Sequence, residues 1–103
     1  MGILNWLFGG SAKQDLTEII NEGAFLVDVR SPSEFSQNHV RGSVNIPLDS
    51  ISSQLTKFKG KKHIIVFCRS GNRSSQAKSY LEQNGFANVV NGRTTDNVEQ
   101  FLK

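Results

Sequence analysis

Hydrophobic and polar positions along this chain switch repeatedly between helical and extended spacing, and the switches mark out its elements. Leu16, Ile19 and Ile20 recur at helical spacing behind Ser11-Ala-Lys-Gln14, which has the form of a capping box, and Gly23 closes the segment. The short apolar run Phe25-Leu-Val-Asp-Val29 then predicts a strand. Ser31-Pro-Ser-Glu34 sets a capping Ser, a Pro at the first helical position and a Glu at the third, a strong helix start. That helix must be brief, because Gly42 and Pro47 bracket a second strand, Val44-Asn-Ile46. Asp49 is placed to cap a third helix, along which Ile51, Leu55 and Phe58 recur at four and three residues.

Lys59-Gly-Lys-Lys62 is a turn whose basic run suits a solvated loop, and His63 at its end is expected to be exposed. His63-Ile-Ile-Val-Phe67 follows as an unbroken apolar run, the pattern of a central parallel strand covered on both faces. From about Asn72 to Asn84 the spacing predicts a helix turning Ala77, Tyr80 and Leu81 inward, with Gly85 as its C-terminal cap. Asn88-Val-Val-Asn91 is a fourth strand, and Thr94 to Lys103 a last helix burying Val98, Phe101 and Leu102. Strand alternating with helix implies right-handed crossovers, hence an α/β fold with a central parallel sheet of four to five short strands and helices on both faces.

Length and composition bound what such a fold can do. The 103 residues suit one domain over 11–103 behind a short apolar tail over 1–10. Hydrophobic residues at 37% and charged residues at 20% are a globular composition. Twelve Lys and Arg against nine Asp and Glu give a net charge of +3, which suits a small anion better than a polyanion, so nucleic acid is not expected as a partner. One cysteine excludes an internal disulfide, a paired-cysteine redox motif and any multi-cysteine zinc site, and no metal is expected. The tail carries no Lys or Arg, which argues against a secretory signal, and Trp6 stands where myristoylation wants Ser or Thr. Trp6, Leu7 and Phe8 are expected to pack onto the domain or fray, with a weak interfacial anchor as the alternative. No apolar run approaches the roughly 20 residues that span a bilayer, so a soluble, cytoplasmic monomer is expected.

The chemistry concentrates where the central strand ends. Val66-Phe67 runs into Cys68-Arg-Ser-Gly-Asn-Arg73, and a helix begins as the loop ends. Backbone N–H groups converging in a tight loop form an anion nest, and the following helix adds partial positive charge. Arg69 and Arg73 bring two permanent guanidinium charges. All three favour thiolate, so Cys68 is expected to ionise below the free-thiol value of about 8.5. Gly71 permits the dihedrals a curled loop needs, and Ser70 and Ser74 can hydrogen-bond sulfur or substrate. A lone cysteine is more often a small buried hydrophobe, but two Arg and a Gly at a strand end shift the balance toward chemistry.

This loop, preceded by Ile64-Ile-Val-Phe67, resembles the active-site loop of single-domain rhodaneses, the thiosulfate sulfurtransferases. Upstream, Leu26-Val-Asp-Val-Arg30, Glu34-Phe35 and His39-Val-Arg-Gly-Ser-Val-Asn-Ile-Pro47 resemble the family's second signature, and the likeness runs from about Phe25 to Asn91. The resemblance implies that Cys68 takes the outer sulfur of a small anionic donor such as thiosulfate and becomes a persulfide. It implies further that the amides from Arg69 through Ser70, Gly71 and Asn72 to Arg73 stabilise that persulfide and the departing anion. Arg69 is expected to meet the donor's sulfite portion and Arg73 to brace the loop. The acceptor would be cyanide, a thiol or a carrier protein, by ping-pong chemistry that needs no cofactor.

Other readings stay in view. Cysteine phosphatases carry five residues between Cys and Arg, whereas four separate Cys68 from Arg73, a tighter loop suited to sulfur. A phosphatase or arsenate reductase would also need a general acid, for which Asp28 and Glu34 are the candidates, and arsenate reduction a resolving thiol. A non-catalytic module of the same fold is a third possibility, opposed by the intact loop, and a persulfide carrier a compatible fourth. Asp28 and Arg30 are expected to form a structural ion pair, Glu34 to cap a helix and partner Arg30, and His39 to be structural. Asn38, Val40 and Ser43 are mild departures from the Gly, Ile and Ala of the family pattern. Asn91-Gly-Arg-Thr-Thr-Asp96 is a sharper one, because the family has Gly-Gly there. Arg93 replaces the second Gly and is either a solvent-facing charge or a recruiter of anionic donors.

Overall fold

A computed structural model of the chain describes residues 14–102. The apolar tail, the N-terminal part of the Ser11 capping box and Lys103 lie outside them. The first helix, α1, spans Thr17–Asn21, with Leu16 at its N-cap and the Asp15 carboxylate accepting from the Thr17 N–H at 2.9 Å. It therefore opens later than the Ser11 motif predicts, where Asp15 supplies the acceptor that orphan N–H groups need. Strand β1 is Phe25–Asp28 and β2 is Val44–Asn45. Between them α2, Pro32–Gln37, starts on the Ser31 box as expected: Ser31 Oγ accepts from the Glu34 N–H at 3.2 Å and Glu34 Oε1 accepts from the Ser31 N–H at 3.0 Å.

The Asp49 region departs from expectation. Two 3₁₀ turns, Leu48–Ser53 and Leu55–Phe58, replace an α-helix, and Asp49 makes no cap. The Ser53 hydroxyl donates to the Ser50 carbonyl at 2.9 Å, a local bond that competes with helix continuation. A 3₁₀ turn also rises about 2.0 Å per residue, so the segment crosses the sheet in fewer residues. Ile51 and Phe58 are still buried, as their spacing predicts, and Leu55 is half-buried.

Strand β3 is Ile64–Cys68, and all five residues are buried. Helix α3 spans Asn72–Gln83, β4 Val89–Thr94 and α4 Thr95–Glu99. Strand β4 runs three residues beyond the expected Asn91, and α4 stops short, leaving Phe101 and Leu102 half-buried rather than fully covered. All pairings are parallel, in the order β2-β1-β3-β4, so β3 is internal.

Alternation along β3 splits the core in two. Ile64, Val66 and Cys68 face a layer built from Val27, Val29, Ile51, Phe58, Ala77 and Leu81. Ile65 and Phe67 face the other side, with Leu16, Leu26, Val40 and Val98. Helices thus cover both faces. The chain moves one way from β1 to β2 and the other way from β3 to β4, so a topological switch point opens between the carboxyl ends of β1 and β3. Asp28 ends one of these strands and Cys68 the other. Among the described residues, no helix is long and apolar enough to cross a membrane.

Candidate active site

Parity decides where the sulfur points. As the last residue of β3, on the face that α3 covers, Cys68 aims its side chain into the loop that begins that helix. Gly71 stands at the N-cap of α3 with φ at +99°, and this left-handed conformation turns the chain back over the sulfur. The Gly71 N–H donates to Cys68 Sγ at 3.0 Å and the Ser74 N–H donates at 3.4 Å. The thiol also lies 3.5 Å from the Ser74 hydroxyl. Burial by itself pushes the thiol up, but the Ser74 hydroxyl and the N–H groups of Ser74, Gly71 and Ser70 outweigh it and hold Cys68 below the ordinary thiol value.

Two details differ from the sequence reading. The lowering rests on hydrogen bonds more than on the arginine charges, because Arg73 is committed elsewhere. Its guanidinium grips Glu34 with two bonds, Nη1 to Oε1 at 2.7 Å and Nη2 to Oε2 at 3.1 Å. Glu34 was expected to partner Arg30, but its carboxylate is taken by Arg73 and by the N–H and hydroxyl of Ser31. Arg30 instead closes on Asp28 at 2.7 Å and reaches the Asn38 carbonyl at 2.8 Å. The second difference is access: Arg69 and Ser70 are exposed, but Cys68 itself has no exposed surface.

The Arg73 guanidinium, followed by the Ser31 N–H, holds the Glu34 carboxyl down to about 2. Asp28 is fully buried, and its Oδ1 also accepts the Arg30 N–H at 2.9 Å. Asn45, through its side-chain amide, donates to the Asp28 and Arg30 carbonyls, both at 3.0 Å, and ties β2 to the end of β1. A cavity of about 480 Å³ opens beside the loop, lined by Arg69, Arg30, Glu34, Thr94, Thr95 and Asp96 among others. Asn72 is exposed at the first turn of α3, and its N–H donates to Ser70 Oγ at 3.4 Å.

His39 lies outside this cluster, stacked on Phe35 with ring centroids 3.9 Å apart and Nδ1 at 3.0 Å from the Phe35 carbonyl, which fits its expected structural role. His63 is half-buried rather than exposed, since Glu22 Oε1 lies 2.7 Å from its Nε2. Arg93 is exposed at φ +75°, and a Cβ placed on Gly71 would lie 3.7 Å from its Cα and 3.8 Å from its Cβ. Asn91 was missed as a site residue. Its Oδ1 accepts from Ser74 Oγ at 2.7 Å and from the Arg93 N–H at 2.9 Å, and only the register of β4 on β3 brings it there.

Comparison with known proteins agrees with the fold. The family model described as "Rhodanese-like domain" matches residues 12–92. A sulfurtransferase of Allochromatium vinosum is 32% identical over 91 residues, covering 88% of this chain and 83% of that protein. The thiosulfate sulfurtransferase PspE of Escherichia coli is 36% identical over 67 residues, which is 63% of this chain and 64% of that protein. Among solved structures, one described as a rhodanese with anions from E. coli superposes with a TM-score of 0.66 at 31% identity, covering 73% of this chain and 91% of that one. With a family model spanning most of its length and a parallel sheet that delivers Cys68 to a ring of amides, the chain belongs to the rhodanese-like domain family.

Proposed function

We propose that this protein is a sulfurtransferase that moves the outer sulfur of thiosulfate, or a similar small anionic donor, to a thiophilic acceptor through a Cys68 persulfide. The observation that carries this reading is the pair of N–H groups, from Gly71 and Ser74, aimed at Sγ at the end of the central strand. They stabilise negative charge on sulfur without supplying a proton that would quench it. The Cys68 thiolate attacks the outer sulfur, the bond to the sulfonate group breaks, and sulfite leaves with the electron pair. A nucleophilic acceptor, cyanide or a thiolate, then attacks the outer sulfur of the persulfide and returns Cys68 to thiolate.

Arg69, exposed beside the cavity at the loop, is the residue proposed to meet the donor's sulfite portion. Arg73 braces the loop through Glu34. Because Sγ is covered, the donor reaches it as the loop atoms over the sulfur yield. Phosphoryl transfer is less well supported: Glu34, held at about 2, is ionised at neutral pH and has no proton to give a leaving group. Asp28 is buried against Arg30.

The test is intact-mass measurement after thiosulfate treatment, beside a thiosulfate:cyanide assay. Wild type is expected to gain one sulfur atom and to form thiocyanate, whereas Cys68→Ser does neither. A folded wild type without the adduct overturns the proposal.

A further inference from the structure

Three hydrogen bonds behind the loop together fix where a single hydroxyl proton points. Asn91 Oδ1 accepts from the Arg93 backbone N–H at 2.9 Å, and this fixes which end of the amide faces Ser74. The Ser74 hydroxyl lies 2.7 Å from that same oxygen. An amide oxygen only accepts, so Ser74, with one O–H, donates to Asn91. Ser74 Oγ is also 3.5 Å from Cys68 Sγ. With its proton committed to Asn91, the hydroxyl can only accept from the thiol. A hydroxyl that accepts favours S–H, and one that donates favours the thiolate. Ser74 has no exposed surface, so bulk water does not share either role.

We propose that Asn91 is a positioning residue that sets how readily Cys68 ionises, by competing with the sulfur for the Ser74 proton. The inference rests on Cys68 being the reactive group of the proposed function. When the thiol loses its proton, the Ser74 hydroxyl turns from Asn91 Oδ1 to Sγ, and it turns back when the sulfur is reprotonated. The Gly71 and Ser74 N–H groups donate to sulfur in both states, so the switchable share of the thiolate's stabilisation belongs to the hydroxyl. Asn91 holds that share in check and keeps the sulfur from becoming a weakly nucleophilic, fully stabilised anion. The Gly71 carbonyl, 3.1 Å from Ser74 Oγ, is the rival acceptor.

The charged groups on the elements packed around Cys68 are Asp28 and Arg30 at the end of β1, Glu34 on α2, Arg69 in the loop, Arg73 with the Lys78–Glu82 pair on α3, Arg93 on β4, and Asp96 and Glu99 on α4. None is altered by the variants that test the idea, although Asn91→Asp adds one negative charge to them. The readout is the pH dependence of Cys68 alkylation by iodoacetamide, unambiguous because the chain has one cysteine. Asn91→Ala is expected to lower the midpoint by about half a unit to one unit, the scale of one hydrogen bond. Asn91→Asp keeps the accepting Oδ1, strengthens its pull on Ser74 and adds a negative charge near the sulfur, so it is expected to raise the midpoint. When Ser74→Ala is added, the Asn91→Ala displacement is expected to vanish and the Asn91→Asp displacement to shrink to the part owed to charge alone. An unchanged midpoint in Asn91→Ala would overturn the proposal, since the Gly71 carbonyl would then have taken over the proton. An Asn91→Ala displacement that persists in full without the Ser74 hydroxyl would overturn it too, since Asn91 would then act on the sulfur by another route. Should Asn91→Ala not fold, Asn91→Asp with and without Ser74 still decides: a displacement of undiminished size without the hydroxyl overturns the proposal. The titration needs no sulfur donor, so it stands apart from the transfer assay.

Discussion

Arg93 illustrates what a single residue can reveal. At φ +75° it is the one non-glycine among the described residues in left-handed backbone, at the position where the family pattern has Gly. A side chain there costs about 1–2 kcal/mol, partly offset by the larger freedom glycine has in the unfolded chain. Arg93→Gly is therefore expected to stabilise the fold by about 0.5–1 kcal/mol, measured as a higher urea midpoint at unchanged slope. The same variant separates the two readings of the side chain. A donor-recruiting guanidinium predicts a KM for thiosulfate raised roughly threefold to tenfold with kcat unchanged, and a solvent-facing charge predicts no change in either. Residues whose roles are local were legible in the sequence: Gly71 in its turn, Ser31 and Glu34 in their box, Arg30 against Asp28. Asn91 was not, because its partner Ser74, and through Ser74 the thiol of Cys68, come from other elements.

Between elements, one ion pair does much of the positioning. Glu34 on α2 and Arg73 on α3 join the two helices that flank the loop. Glu34 sits at about 2 in the folded protein against an ordinary value of 4.5, so the folded state binds fewer protons between those values. The pair's contribution is full above about pH 4.5 and is lost as pH falls toward about 2. Urea unfolding across that range is expected to show wild type losing more stability than Glu34→Gln, and parallel curves would contradict it. The charges of this pair stood in the sequence, but their partnership did not, since the residues lie 39 positions apart. The Asp49 segment failed for a different reason: its apolar spacing of three, four and three fits a 3₁₀ path as well as an α-helix, and the serines tip it.

Across the whole molecule, the order and character of the elements were legible because β3 is so uniformly apolar and helix signals flank it. Register was not, and register decides how closely layers approach. Gly92 shows this: a Cβ there would lie 2.7 Å from Ile65 and 2.7 Å from Val98, where the sheet presses on α4. Gly92→Ala is expected to destabilise by about 1–3 kcal/mol, read as a lower urea midpoint, since neither neighbour is a flexible chain end.

The placement of Cys68 among Val66, Ala77 and Leu81 has one more consequence. The proposed nucleophile doubles as a brick in the wall that keeps the domain upright, so its reactivity and its packing share the same few ångströms. Repairs or injuries to that wall travel straight to the chemistry. Evolution could not tune one without the other, and neither can an engineer.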